Sequence, residues 1–186
     1  MKITSVKLFL SLFLLGGSFL CQAQQKSGGL ALYTVRDDMA ANAKATLTAV
    51  SDAGYKNIEA AGYKDGKFYD MSPADFKKLL KELRLNPIST HQASATLENA
   101  DSMIADVKEA GFKYFVIPVP PMGLFKIDRE TRTMGMTGGA ANLAEIITTL
   151  GKKCEAVGLK LLYHNHDFEF KKDADGIVPI DYLLEN

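Results

Sequence analysis

A chain of 186 residues, 47% hydrophobic and 24% charged, has enough apolar material for one globular core and no room for a low-complexity tract. Its 22 basic residues balance 22 acidic ones without a basic run, which removes the electrostatic case for nucleic acid or an anionic membrane surface as a partner.

The chain opens as an export signal. Lys2 and Lys7 precede an apolar run from Leu8 to Leu15, and small residues follow to Cys21-Gln22-Ala23. Gly16-Gly17 break the run short of the roughly 20 apolar residues of a membrane span, and Leu20 is too large to precede a lipoprotein cysteine. Residues 1–23 are therefore expected to leave on export to the periplasm or beyond, with 24–186 as the mature domain and no membrane attachment afterwards. Removal takes two lysines and no acids, leaving 20 basic against 22 acidic residues. It also takes Cys21, so Cys154 remains without an internal disulfide partner and the core must hold the fold together.

Helices and strands then alternate. Strands are expected over Leu30 to Val35, Asn57 to Ala60, Pro87 to Thr90, Tyr114 to Val119 and Lys160 to His164. Ser72-Pro73-Ala74-Asp75 reads as a helix start, followed by Phe76, Leu79, Leu80 and Leu83 at helical spacing. Met103, Ile104 and Val107 form a second apolar stripe, and Leu143, Ile146, Ile147, Leu150, Cys154 and Val157 a third, which makes Cys154 a core residue. A last helix spans Pro179 to Glu185. Ala53-Gly54-Tyr55-Lys56, Ala110-Gly111-Phe112-Lys113 and Val157-Gly158-Leu159-Lys160 repeat one helix-to-strand joint, with glycine at the left-handed position. A fourth joint, Leu83 to Pro87, does the same without glycine. Five β/α units in series mean a parallel α/β fold.

Strand-to-helix connections are long (61–71, 120–139 and 167–178), and ligand sites in such folds form at the carboxyl ends of the strands. Glu59, His91, His164 and His166 all fall there. In YHNHDFEF, residues 163–170, His164 and His166 are spaced to face one side of a strand, and Glu169 can fold back toward them. Imidazole and carboxylate suit a divalent metal acting as a Lewis acid, although strand-end histidines also serve as satisfied structural groups.

Together, Leu32-Tyr33-Thr34-Val35-Arg36-Asp37, Ile58-Glu59, Ser89-Thr90-His91 and Tyr163 to Phe170 resemble the sugar phosphate isomerase/epimerase family, whose members have the xylose isomerase-like (β/α)8 TIM barrel. The resemblance implies a divalent metal (manganese, zinc, magnesium or cobalt) at the barrel mouth, and proton abstraction next to a sugar carbonyl. It implies Glu169 as metal ligand or acid–base group, His166 and His164 as ligand or substrate contacts, Glu59 and His91 binding sugar hydroxyls, and Arg36 near the mouth. A surface ion pair with Asp37 or Asp38 is the other reading of Arg36. Tyr63, Phe68 and Tyr69 could stack on a pyranose, and 120–139 has the composition of a lid. An exported protein meets few sugar phosphates, so an unphosphorylated sugar, keto-sugar or glycoside is the expected substrate. A barrel of this kind takes about 250 residues, so this chain is expected to be five of eight units and inactive alone. The competing reading is a non-catalytic sugar-binding module whose open sheet edges are covered by dimerisation.

Overall fold

The computed structural model describes residues 28–186. The expected export segment and Cys21 lie outside the described residues. Strands β1 (Gly29–Ala31) and β2 (Asn57–Ala60) are followed by a small hairpin, β3 (Tyr63–Lys64) and β4 (Lys67–Phe68). Then come β5 (Asn86–His91), β6 (Tyr114–Ile117), a second hairpin of β7 (Phe125–Asp128) and β8 (Thr133–Met136), and β9 (Lys160–Tyr163). The helices are α1 (Arg36–Asp52), α2 (Pro73–Glu82), α3 (Ala100–Ala110), α4 (Ala140–Ala156) and α5 (Pro179–Glu185). None of the described helices is long and apolar enough to cross a membrane.

β1, β2, β5, β6 and β9 form one sheet in that order, all parallel. Each new strand adds beside the last, with no reversal of order. Winding in one direction keeps the helices on one side and makes the sheet a segment of a barrel, whereas a doubly wound sheet reverses at a switch point. The expected parallel TIM-barrel-type fold is present here as five β/α units.

Register separates the two faces of the sheet. Ile58, Ala60, Phe115 and Ile117 are buried toward the helices, whereas Glu59, Ser89, His91, Val116, Leu162 and His164 share the concave side. Between β2 and β5 the pairing passes from Ile58 with Pro87 to Glu59 with Ser89, skipping Ile88. This bulge brings Ser89 and His91 onto the face of Glu59.

Each helix-to-strand joint is closed by one bond pattern. The N–H groups of Tyr55, Leu85, Phe112 and Leu159 reach back five residues to the carbonyls of Val50, Leu80, Val107 and Cys154. Gly54, Gly111 and Gly158 supply the positive φ this needs, and Arg84 supplies it in the fourth joint at φ 55°. An L-residue pays about 1 kcal/mol or more for that conformation.

Three expectations need correction. The first strand ends at Ala31, and Leu32–Val35 form a 3-10 turn. β1 pairs only with β2, and that ladder stops at Glu59, so the β-branched Thr34 and Val35 have nothing to pair with and Leu32 turns into the core. The fourth strand stops at Ile117 because Pro118 has no N–H to donate. The loop aromatics are taken up by packing, and the Tyr69 hydroxyl accepts the Ala61 N–H at 3.0 Å just beyond β2. Phe68 stacks on Phe76 at 5.3 Å, Tyr69 packs on Phe76, and the Tyr63 hydroxyl donates to Asp106 at 2.5 Å, fixing the β3–β4 hairpin to the helix layer.

Cys154 is fully buried within that layer, and burial pushes its thiol up to about 11. Replacing Arg84 by glycine relieves the strained joint. Arg84→Gly is expected to stabilise the fold by up to about 1 kcal/mol, read as a higher urea midpoint at unchanged slope.

Candidate functional site

The carboxyl ends of β2, β5 and β9 bring Glu59, His91 and His164 together on the concave face. His91 Nε2 lies 3.2 Å from Glu59 Oε1, and the Ser89 hydroxyl donates to Glu59 Oε2 at 2.7 Å. The His91 and His164 rings are 5.2 Å apart. His164 extends the ladder one residue past β9, its N–H bonding to the Ile117 carbonyl at 2.9 Å. His166 stacks on His164 at 4.8 Å with the planes 6° apart.

Glu169 lies elsewhere. It is 0% exposed, in the 3-10 turn Phe168–Phe170. Its Oε1 accepts the Tyr163 O–H at 2.7 Å and its Oε2 accepts the His166 N–H at 2.8 Å. The carboxylate therefore folds back as expected but ties the loop to the end of β9, with no oxygen turned to solvent. Charge-assisted bonds of this kind are what make a buried carboxylate tolerable. Tyr163 feels the pair as well. Burial and the hydrogen bond to Glu169 push its phenol well above its ordinary value.

Arg36 is half-exposed at the rim. Its guanidinium lies 5.0 Å over the Tyr33 ring, donates to the Tyr33 carbonyl at 3.3 Å and sits 3.9 Å from Asp37. These contacts are local to the first turn and do not join it to the imidazoles.

The site is polarised. The hydrogen bond from His91 and the one from Ser89 hold the Glu59 carboxyl below its ordinary value against the opposing effect of burial. Burial, reinforced by repulsion from His166 and His91, lowers His164. At neutral pH Glu59 is therefore ionised and His164 uncharged.

The described residues do not by themselves complete the divalent-metal site that the sequence resemblance implies, and that resemblance places further ligands on later strands of the barrel. Among the described residues no three His, Cys, Asp or Glu side chains converge on one point. Glu59 gives its oxygens to Ser89 and His91, and Glu169 gives both to Tyr163 and His166.

Ser89 and Tyr163 are functional-site neighbours that the sequence reading passed over. Ser89 was within reach of it, standing two residues before His91 on a strand and so on the same face. Tyr163 was not, because its role depends on where Glu169 comes to rest.

Two predictions follow from these contacts. Tyr163→Phe leaves a buried carboxylate oxygen without its donor and is expected to cost about 1.5 to 3 kcal/mol in urea unfolding. Acid should weaken the fold through His164 first. Its folded value lies below the ordinary 6.5, so the unfolded chain takes up the proton first and stability declines as pH falls through that window. Glu59, held below 4.5, adds a further loss at lower pH. In His164→Gln, thermal midpoints between about pH 7 and 5 should fall less steeply than in the parent.

No protein-family model and no curated protein matches the chain. Solved structures do. A sugar phosphate isomerase/epimerase from Parabacteroides distasonis ATCC 8503 superposes with a TM-score of 0.68 at 24% identity, over 89% of this chain and 63% of that one. A second structure of that description from the same organism superposes at 0.66 with 23% identity, over 86% and 64%. The chain thus spans under two thirds of the length of either structure. The chain has the barrel fold of these sugar phosphate isomerase/epimerase structures, five β/α units of it.

Proposed function

We propose that the protein acts as a sugar isomerase or epimerase, shifting a proton next to a carbonyl group. The observation that carries this reading is the Glu59–His91–His164 cluster at the carboxyl ends of three neighbouring strands, on the face where barrels place their ligands. The likeness to isomerase/epimerase structures supports the same reading.

Each residue has a role suited to its surroundings. His164, uncharged at neutral pH and lowered only from 6.5, is matched to accept the proton from the carbon beside the carbonyl. Glu59 is held ionised by two donors and is better suited to gripping sugar hydroxyls, with His91 fixed beside it as a second contact. Negative charge that develops on the carbonyl oxygen falls among imidazole and hydroxyl donors. Return of the proton to the opposite face of the same carbon gives an epimer, and return to the neighbouring carbon gives an isomer. Glu169 and His166 hold the end of β9 in place for this chemistry, and Arg36 borders the entrance. The ionisable groups that meet at the strand ends are a carboxylate and imidazoles, which favours an unphosphorylated keto-sugar. Export of the protein, expected from its first residues, agrees with such a substrate.

The test is solvent exchange. The natively expressed protein in D2O, offered D-fructose and other unphosphorylated ketoses, should introduce deuterium beside the carbonyl, seen by proton NMR. His164→Gln should lower that rate by about 100-fold or more, whereas Glu59→Gln should act mainly through KM. The parent rate should also fall in acid, as His164 takes up its proton at a pH below its ordinary 6.5. No exchange with any ketose, or full exchange in His164→Gln, would overturn the proposal.

A further inference from the structure

Five aromatic rings run in an unbroken line from the candidate site to the β7–β8 hairpin. His91 meets His164 at 5.2 Å, His164 meets His166 at 4.8 Å, His166 meets Phe168 at 5.6 Å, and Phe168 meets Phe125 at 5.8 Å. The three central rings are nearly parallel, with planes 6° and 9° apart.

His166 is the informative rung. Its Nδ1 is buried with no hydrogen-bond partner, although its backbone N–H is held by Glu169. A buried imidazole nitrogen without a partner is costly, so in this position the ring serves as a flat plate between two others. Stacking, not polar contact at Nδ1, sets its orientation. Whatever fixes Phe168 therefore fixes His166 and, through it, the outward face of His164.

Phe168 is itself 5% exposed and is capped by Phe125, the first residue of β7. The base of that hairpin is tight. Thr137 Oγ1 donates to the Gly123 carbonyl at 2.6 Å, Thr137 N–H donates to the Leu124 carbonyl at 3.0 Å, and Leu124 packs so closely on Gly138 that a Cβ there would collide with it. Phe125 is thus delivered from a well-anchored base, while Ile127, two residues further out along the same strand and 58% exposed, takes no part in the stack.

We infer that Phe125 is a positioning residue for His164, acting through Phe168 and His166, so that the β7–β8 hairpin sets the orientation of the site imidazole. What His164 then does rests on the function proposed above, but its orientation does not. The chain has only three histidines, all in this line, so their ring resonances can be assigned and followed directly.

The experiment compares imidazole carbon–proton spectra of the parent protein with Phe125→Ala, Phe125→Leu, Phe125→Tyr and Ile127→Ser. Phe125→Ala should move the ring signals of both His166 and His164, and Phe125→Tyr should restore them. Phe125→Leu keeps apolar bulk and hairpin docking, yet it should still move His164, because the flat cap is gone. Ile127→Ser should leave all three histidines in place. If His164 keeps its parent shifts in both Phe125→Ala and Phe125→Leu, the inference fails. Equal movement of His164 in Ile127→Ser also overturns it, since the effect would then be a general loosening of the hairpin. With a ketose that supports exchange, Phe125→Ala should lower kcat by about tenfold with KM little changed, in keeping with a misplaced acid–base group. Absence of exchange in the parent would count against the proposed function alone, because the spectra judge the coupling without any substrate.

Discussion

The bond that reaches back five residues at the end of each of four helices is the constraint on which the architecture depends. It closes each turn with the same bond and sends the next strand up beside the last. Repetition of one turn gives one winding direction, and one winding direction puts every strand's carboxyl end at the same rim. Residues 30 or more positions apart, such as Glu59 and Ser89, thereby meet at hydrogen-bond distance. The site is a product of the joints before it is a product of its own side chains. Arg84 shows how firm the requirement is, since the joint keeps its geometry there even without glycine.

At that rim two carboxylates have been given different conditions. Glu59 is partly exposed and held by Ser89 and His91, so its charge remains in contact with whatever enters. Glu169 is fully buried, where Tyr163 and the His166 amide meet its demand for donors. One carboxylate can meet a ligand, and the other secures the loop that carries two of the three histidines. Such a division matches the general pattern in which buried polar networks give a unique local structure and half-exposed ones give chemistry.

Much of this was legible from residue order. The strand Asn57–Ala60 and the helix Pro179–Glu185 occupy the expected residues, because proline, glycine and apolar spacing mark their ends. Arrival of Glu59, His91 and His164 at one end of the sheet could also be read from strand order, although the bulge at Ile88 that turns His91 to the face of Glu59 could not. The β3–β4 hairpin carried a readable signal, Asp65-Gly66, both at positive φ in the structure. The β7–β8 turn did not, because its left-handed residue is Arg132 and Asp128 Oδ1 closes the loop by accepting from the N–H groups of Glu130 and Thr131. The burial of Glu169 was also beyond reach, since an acidic residue near two histidines reads as exposed chemistry until its neighbours are known. The early end of the first strand has a similar cause. Thr34 and Val35 favour a strand locally, and only the length of the partner strand decides against it.

The irregular register at Ile88 has a genetic consequence. Because β5 carries one residue more than β2 at this point, Ser89 and His91 share the side of Glu59. Loss of the Ile88 codon would bring the two strands into regular step with Ser89 still opposite Glu59 and His91 still on the concave face, whereas loss of the Thr90 codon would put His91 opposite Ala60 and turn it toward the helices. The sheet, the joints and the helix layer would all persist. A lineage could thus retire the site in one in-frame deletion while keeping the scaffold, and the number of residues between Ser89 and His91 is the trait by which descendants with and without the site would be told apart.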